Sequence, residues 1–85
     1  MSDVKVKRTT YNVDGFQEPC IIVSNGCAEV RISKCYHLIG ENTLYMRETL
    51  GMDGEFNAFD EFVGDFDTLT DTEAIRLAKE FSAYL

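Results

Sequence analysis

The chain has 85 residues, 45% of them hydrophobic, which predicts a single domain over residues 1–85 and excludes intrinsic disorder despite a net charge of −7. A domain this small has little room for an enclosed active site. The sequence contains no apolar leader and no run of 18 apolar residues, so we expect no membrane contact. Three cysteines without disulfide or zinc spacing, Cys20, Cys27 and Cys35, favour a reducing cytoplasm.

The first half of the chain predicts a β-meander. Its three β-rich runs are separated by Asp14-Gly15 and Asn25-Gly26, dipeptides that favour two-residue hairpin turns because they tolerate positive φ. Turns centred on these dipeptides give one apolar face: Val4, Val6, Pro19, Ile21, Val23, Ala28, Val30, Ile32, Tyr36 and Leu38. The other face is mixed and polar: Lys5, Lys7, Thr9, Glu18, Cys20, Ile22, Glu29, Arg31 and Ser33. We therefore expect a sheet that is covered on one face.

The two predicted turns cannot both have two residues. They would require the same middle-strand residues to hydrogen-bond to both neighbouring strands, which antiparallel pairing does not allow. One turn is therefore longer, or a bulge interrupts the ladder. Pro19 is the predicted irregularity, because it has no N–H group to donate.

A fourth strand is predicted over 43–49, and the segment that follows it is ambiguous. Apolar residues recur in the segment 54–66 at steps of three and four: Phe56, Phe59, Phe62, Val63 and Phe66. This spacing favours a short helix capped by Asp53, although Gly64 weakens it and a strand stays open as the alternative.

The C-terminal segment predicts a helix. Thr70 and Glu73 match a capping box, and Leu69 and Ala74 stand where a hydrophobic staple would. The apolar stripe is Ile75, Ala78, Phe81, Ser82 and Leu85, with Arg76, Lys79 and Glu80 on the solvent side. The fold class is therefore α+β: an antiparallel β-meander of about four strands, covered on one face by a C-terminal helix.

Catalysis is disfavoured, and we expect a protein that is not an enzyme and binds no cofactor. His37 is the single histidine, and its neighbour Cys35 on the same strand has no identifiable third group to orient the imidazole. We therefore expect His37 to face solvent.

A metal site is also disfavoured. The carboxylates Asp60, Asp65, Asp67 and Asp71 are of the kind that calcium binds. An EF-hand loop beginning at Asp65 would have Leu69, Thr70 and Arg76 at positions that require an acid or Asn, Gly and Glu. The motif does not match, which leaves an irregular calcium site as an alternative.

Negative charge is concentrated in the segment 53–73, which we call the acidic band. It contains eight of the fifteen acidic residues and no Lys, Arg or His, which leaves seven acids against eight bases elsewhere. Acids beside helix N-termini, such as Asp67, Asp71 and Glu73, have an ordinary explanation in the helix dipole. The lack of interspersed bases favours a basic partner, because unmixed carboxylates repel one another. The predicted partner-binding residues are Asp53, Glu55, Asp60, Glu61, Asp65 and Asp67.

In general character, the acidic band and the closing sequence DFDTLTDTEAIRLAKEF resemble the small acidic proteins that bacteriophages encode against host machinery, including anti-CRISPR proteins and DNA mimics. The resemblance implies an inhibitor that occupies the basic surface of a host protein or ribonucleoprotein complex. Direct binding of nucleic acid through the acidic band is excluded by charge repulsion.

Two alternatives are open. An oligomer whose pocket forms between subunits could sequester a small molecule, and a calcium-responsive interaction domain would use the acidic residues. Apolar residues on the polar sheet face also offer a surface for a partner or a homodimer: Tyr11, Phe16, Cys20 and Ile22.

Overall fold

The computed structural model shows an antiparallel β-sheet and a C-terminal α-helix, which confirms the predicted α+β class. It describes residues 4–26, 28–39, 42–50, 56–63, 65–82 and 85, and the side chains of 4–26, 28–33, 65–82 and 85. In this part of the chain, five strands lie in the order of the sequence: β1 (Lys5–Val13), β2 (Phe16–Ser24), β3 (Glu29–Ile39), β4 (Asn42–Leu50) and β5 (Phe56–Val63). A 3-10 turn, η1 (Phe66–Thr68), leads into the helix α1 (Asp71–Phe81).

The first hairpin has the predicted two-residue turn and register. Val13 pairs with Phe16 directly across the turn, and the pairing continues without a shift to Lys5 opposite Ser24. Asp14 and Gly15 have φ angles of 50° and 90°, the positive values that a two-residue hairpin turn of this kind requires.

The second turn is longer, which resolves the conflict between the two ladders. Ser24 pairs with Glu29, so the loop between β2 and β3 covers residues 25–28. The Asn25 side chain closes this loop by accepting a 2.9 Å hydrogen bond from the Ala28 backbone N–H. The register moves by two residues, and a shift of two keeps the described β3 side chains on their predicted faces.

The prediction that Pro19 is irregular is wrong. Pro19 lies opposite Thr10 in an uninterrupted β1–β2 register. The paired β2–β3 ladder extends only as far as Cys20. Pro19 is thus the first β2 residue beyond that ladder, where a missing N–H group breaks no ladder hydrogen bond.

The core lies between the predicted apolar face of the sheet and the segment that contains η1 and α1. Its strand residues are all fully buried: Ile21, Val23, Val30 and Ile32. The segment 66–78 supplies the rest of the core: Phe66, Leu69, Ala74, Leu77 and Ala78. Leu77 lies outside the predicted stripe, and Tyr36 and Leu38 have side chains outside the described set. The helix therefore covers one face of the sheet, as predicted.

The helix begins as predicted, with one difference in its cap. Thr70 Oγ1 accepts a 3.2 Å hydrogen bond from the Glu73 backbone N–H and donates one of 3.2 Å to Glu73 Oε1. The capping box predicted that the Glu73 carboxylate would reach the Thr70 backbone, but it reaches the hydroxyl instead. On the solvent side, Arg76 and Glu80 form a 2.9 Å ion pair. No helix in the described residues is long and apolar enough to cross a lipid bilayer.

The prediction of a short helix over 54–66 is wrong, because most of this segment forms the strand β5. This strand raises the predicted number of strands from about four to five in the described part of the chain. A bulge in the pairing with β4 accounts for one of the misleading three-residue steps. Phe56 and Phe59 are three residues apart but lie opposite Leu50 and Glu48, which are two apart. Asp53, the predicted helix cap, lies outside the described residues.

Candidate functional site

The described part of the acidic band lies around η1 and the first turn of α1. Its four carboxylates, Asp65, Asp67, Asp71 and Glu73, all belong to exposed residues. The apolar residues between them, Phe66 and Leu69, are buried in the core. This alternation holds the acids on the surface, because the buried side chains fix the segment against the sheet.

Each of these acids either caps η1 or lies in the first turn of η1 or α1. Asp65 caps η1 by accepting a 3.1 Å hydrogen bond from the Asp67 backbone N–H. Asp67 lies in the first turn of η1, and Asp71 and Glu73 lie in the first turn of α1. Carboxylates at these positions complement the exposed N–H groups of helix N-termini. The helix dipole therefore explains the positions of these four acids. All four residues are also exposed, so a partner could contact them.

Arg8 brings a positive charge into the acidic band from the distant strand β1. Its Nη2 donates a 2.7 Å hydrogen bond to the Leu69 carbonyl and lies 2.9 Å from Asp71 Oδ1. The acidic band therefore contains no base of its own, but the fold places Arg8 beside it. The charge of Asp71 is balanced by this ion pair. The two partners are 63 residues apart, and no signal in the sequence connects them.

The structure does not bring all six predicted binding residues into one described cluster. Asp53 and Glu55 lie outside the described residues. Asp60 and Glu61 lie in β5 opposite Arg47 and Met46, and their side chains are also outside the described set. Asp65 and Asp67 lie together at η1. The described surface therefore consists of these two acids, joined by Asp71 and Glu73.

A cleft of about 410 Å³ lies beside this surface, between the β1–β2 hairpin and η1. Its lining residues are Arg8, Thr9, Thr10, Pro19, Cys20, Ile21, Phe66 and Asp67. Arg8, Thr10, Pro19 and Asp67 are exposed, whereas Phe66 is only 6% exposed and Ile21 is fully buried. The sequence analysis missed it, because its walls come from two segments that are far apart in the chain.

The second face of the sheet has both an exposed and a buried part. Phe16 is 69% exposed, in agreement with the predicted apolar patch. Cys20 was predicted to belong to that patch, but it is buried, and so is its strand neighbour Ser33. The Arg31 guanidinium lies 4.1 Å from the centroid of the Tyr11 ring.

The register explains the burial of Cys20. Arg31 lies opposite Ile22, and Tyr11 lies opposite Glu18, so an Arg31–Tyr11 contact crosses β2 above the intervening Cys20. A cation over an aromatic ring is attracted to it, and this attraction holds the long Arg31 side chain across the strand.

The described residues contain no group of three or more His, Cys, Asp or Glu side chains that could hold a metal ion. Cys20 is buried and is not part of a disulfide. His37 lies in β3, and its side chain is outside the described set.

Comparison with known proteins gives no relative: the chain matches no protein family, no curated protein and no solved structure. The function is therefore argued from the chain itself.

Proposed function

We propose that the chain is a non-enzymatic binding protein that occupies a basic surface of a host protein or ribonucleoprotein complex that handles nucleic acid. The observation that carries the proposal is the set of exposed acidic residues Asp65, Asp67, Asp71 and Glu73, of which Asp71 pairs with Arg8. The predicted acids Asp53, Glu55, Asp60 and Glu61 extend this surface in the proposal. In this role the chain is a phage counter-defence protein of the anti-CRISPR or DNA-mimic type, acting in the host cytoplasm.

The mechanism is competition for the surface that normally holds DNA or RNA. Negative charge steers the protein towards a basic groove and raises the association rate, an effect that salt reduces. Once bound, carboxylates pair with the arginine and lysine side chains that would otherwise contact phosphate. Nucleic acid is then excluded by charge and by the volume of the domain.

Charge reversal in lysate capture tests this proposal. The immobilised chain is exposed to bacterial lysate, and the captured proteins are identified by mass spectrometry. We expect the wild type to retain a basic nucleic-acid-binding protein and the variant Asp60→Lys/Glu61→Lys to lose it. The matched control is Glu18→Lys/Glu80→Lys, which makes the same change in net charge outside the acidic band.

Thermal unfolding of each variant checks whether the fold is retained. Equal capture by the wild type and by Asp60→Lys/Glu61→Lys would contradict the proposal. Self-association without any captured protein would instead favour the oligomeric sequestering protein.

A further inference from the structure

We propose that the chain forms a symmetric dimer in which β1 of one copy pairs, antiparallel, with β1 of a second copy. β1 is the first strand in the order of the sheet, and among the described residues it pairs only with β2. Its side away from β2, which we call the open edge, is a template for pairing with another strand. The inference goes beyond the proposed function and does not depend on it.

The first hairpin determines which backbone groups point to the open edge. Val13 and Phe16 flank a two-residue turn, so they form a hydrogen-bonded pair. Antiparallel strands alternate between pairs that share hydrogen bonds and pairs that do not, so every second β1 residue bonds to β2. The residues between them direct their backbone groups outwards: Val6, Arg8, Thr10 and Asn12.

Pro19 agrees with this assignment. It lies opposite Thr10, and a residue without an N–H group fits a pair that shares no hydrogen bond. Thr10 therefore directs its backbone N–H and C=O groups away from β2. In the described part of the chain, no turn, loop or helix forms a backbone hydrogen bond to β1. The open edge thus presents donors and acceptors to a further strand.

The open edge is complementary to itself. Antiparallel pairing with full overlap of the strand Lys5–Val13 is centred on Thr9. This register places outward-facing residues of the two copies opposite one another: Val6 with Asn12, and Arg8 with Thr10. Each such pair can exchange two backbone hydrogen bonds, as in any antiparallel ladder. Pairing along the whole strand is therefore compatible with the direction of its backbone groups.

The charges of β1 favour the second copy as the occupant of the open edge. Lysines commonly protect an exposed edge, because like charges that lie opposite each other repel. The three bases of β1 all lie in its first half: Lys5, Lys7 and Arg8. In the antiparallel register their opposite residues are neutral: Val13, Tyr11 and Thr10. Lys5 also comes close to Asp14 of the second copy, which follows Val13 in the chain.

Sedimentation equilibrium of the full chain tests the dimer. The chain is measured between about 1 μM and about 1 mM, which covers interfaces of modest affinity. We expect the mass to rise from one copy to two and no further, because a two-fold interface closes on itself. A monomer at every concentration, or assemblies that grow beyond two copies, would overturn the inference.

Thr10→Pro tests whether the open edge forms the interface. The substitution removes an N–H group that points outwards and none that bonds to β2, so the monomer should keep its fold, which circular dichroism checks. We expect the Kd of the dimer to be at least about tenfold higher. The matched control Thr10→Val keeps the N–H group and should dimerise like the wild type. Both variants lose the hydrogen bond to Gln17, so equal dimerisation by the two would contradict the inference.

Amide hydrogen exchange gives a second measurement, and it needs no variant. When the concentration is raised, exchange should slow most at the outward-facing amides: Val6, Arg8, Thr10 and Asn12. It should change less at the intervening amides, which already bond to β2: Lys7, Thr9 and Tyr11. This alternation is specific to pairing at the open edge. Protection without it, or protection centred on Phe16, would place the interface elsewhere and overturn the inference.

Discussion

At the scale of the residue, the Ser33 hydroxyl has the least favourable surroundings of the described side chains. Ser33 is fully buried, and its Oγ has no hydrogen-bond partner in the described part of the chain. A buried hydroxyl without a partner costs about 1–3 kcal/mol, because it gives up its hydrogen bonds to water. Its strand neighbour Cys20 is also buried.

Ser33→Ala should therefore raise the free energy of unfolding by up to about 1 kcal/mol, because it removes the hydroxyl without changing the shape of the core much. Chemical denaturation measures this change. The control Ser24→Ala, at a half-buried position, should stay within about 0.5 kcal/mol of the wild type. A loss of stability in Ser33→Ala would show that the hydroxyl has a partner after all.

Thr70 makes a second prediction at this scale, because its side chain caps α1. Thr70→Ala removes the acceptor for the Glu73 backbone N–H and should lower the free energy of unfolding by about 1 kcal/mol. The control is Thr72→Ala, an exposed position inside the first turn, where we expect a change within about 0.5 kcal/mol. Equal effects of the two substitutions in thermal or chemical unfolding would contradict the capping role.

At the scale of the element, Arg8 connects β1 to the junction between η1 and α1. Its ion pair with Asp71 joins side chains that are 48% and 65% exposed, and such pairs contribute little. The hydrogen bond to the Leu69 carbonyl is part-buried and charge-assisted, so it contributes more. The attachment of the helix to the first strand therefore depends on the carbonyl contact more than on the salt bridge.

Arg8→Ala should lower the free energy of unfolding by about 1.5–3 kcal/mol, whereas Asp71→Asn should lower it by less than about 1 kcal/mol. Adding salt should reduce the effect of Asp71→Asn and leave most of the effect of Arg8→Ala. Chemical denaturation at two salt concentrations measures this difference. Equal effects of both substitutions would mean that the salt bridge is the main contact.

The sequence predicts those elements whose signals are local. The Asp14-Gly15 turn requires two positive φ angles, and the helix cap depends on residues three apart, so both are readable from a few neighbouring residues. The strand β5 was predicted only as the alternative to a helix, because a bulge against β4 makes a three-residue step compatible with pairing. For the same reason the site was only partly predicted. The Arg8 contact and the cleft depend on tertiary packing between distant segments, which leaves no pattern in the sequence.

At the scale of the whole molecule, the charge is divided between two parts of the chain. The acidic band carries eight acids without a base, and the rest of the chain is close to neutral. The fold keeps the described part of the band on the outside, where Arg8 forms an ion pair with Asp71. Such a surface favours association with a positively charged partner at a rate that depends on salt.

The measurement that tests this account most directly is capture from bacterial lysate by the wild-type chain at about 0.1 M and about 1 M salt. Over this range the screening length falls from about 10 Å to about 3 Å, so contacts between exposed charges weaken strongly. The account predicts that a basic nucleic-acid-binding protein is captured at the lower concentration and lost at the higher one. Capture that is the same at both concentrations would contradict it and would move the interface to the apolar residues around Phe16.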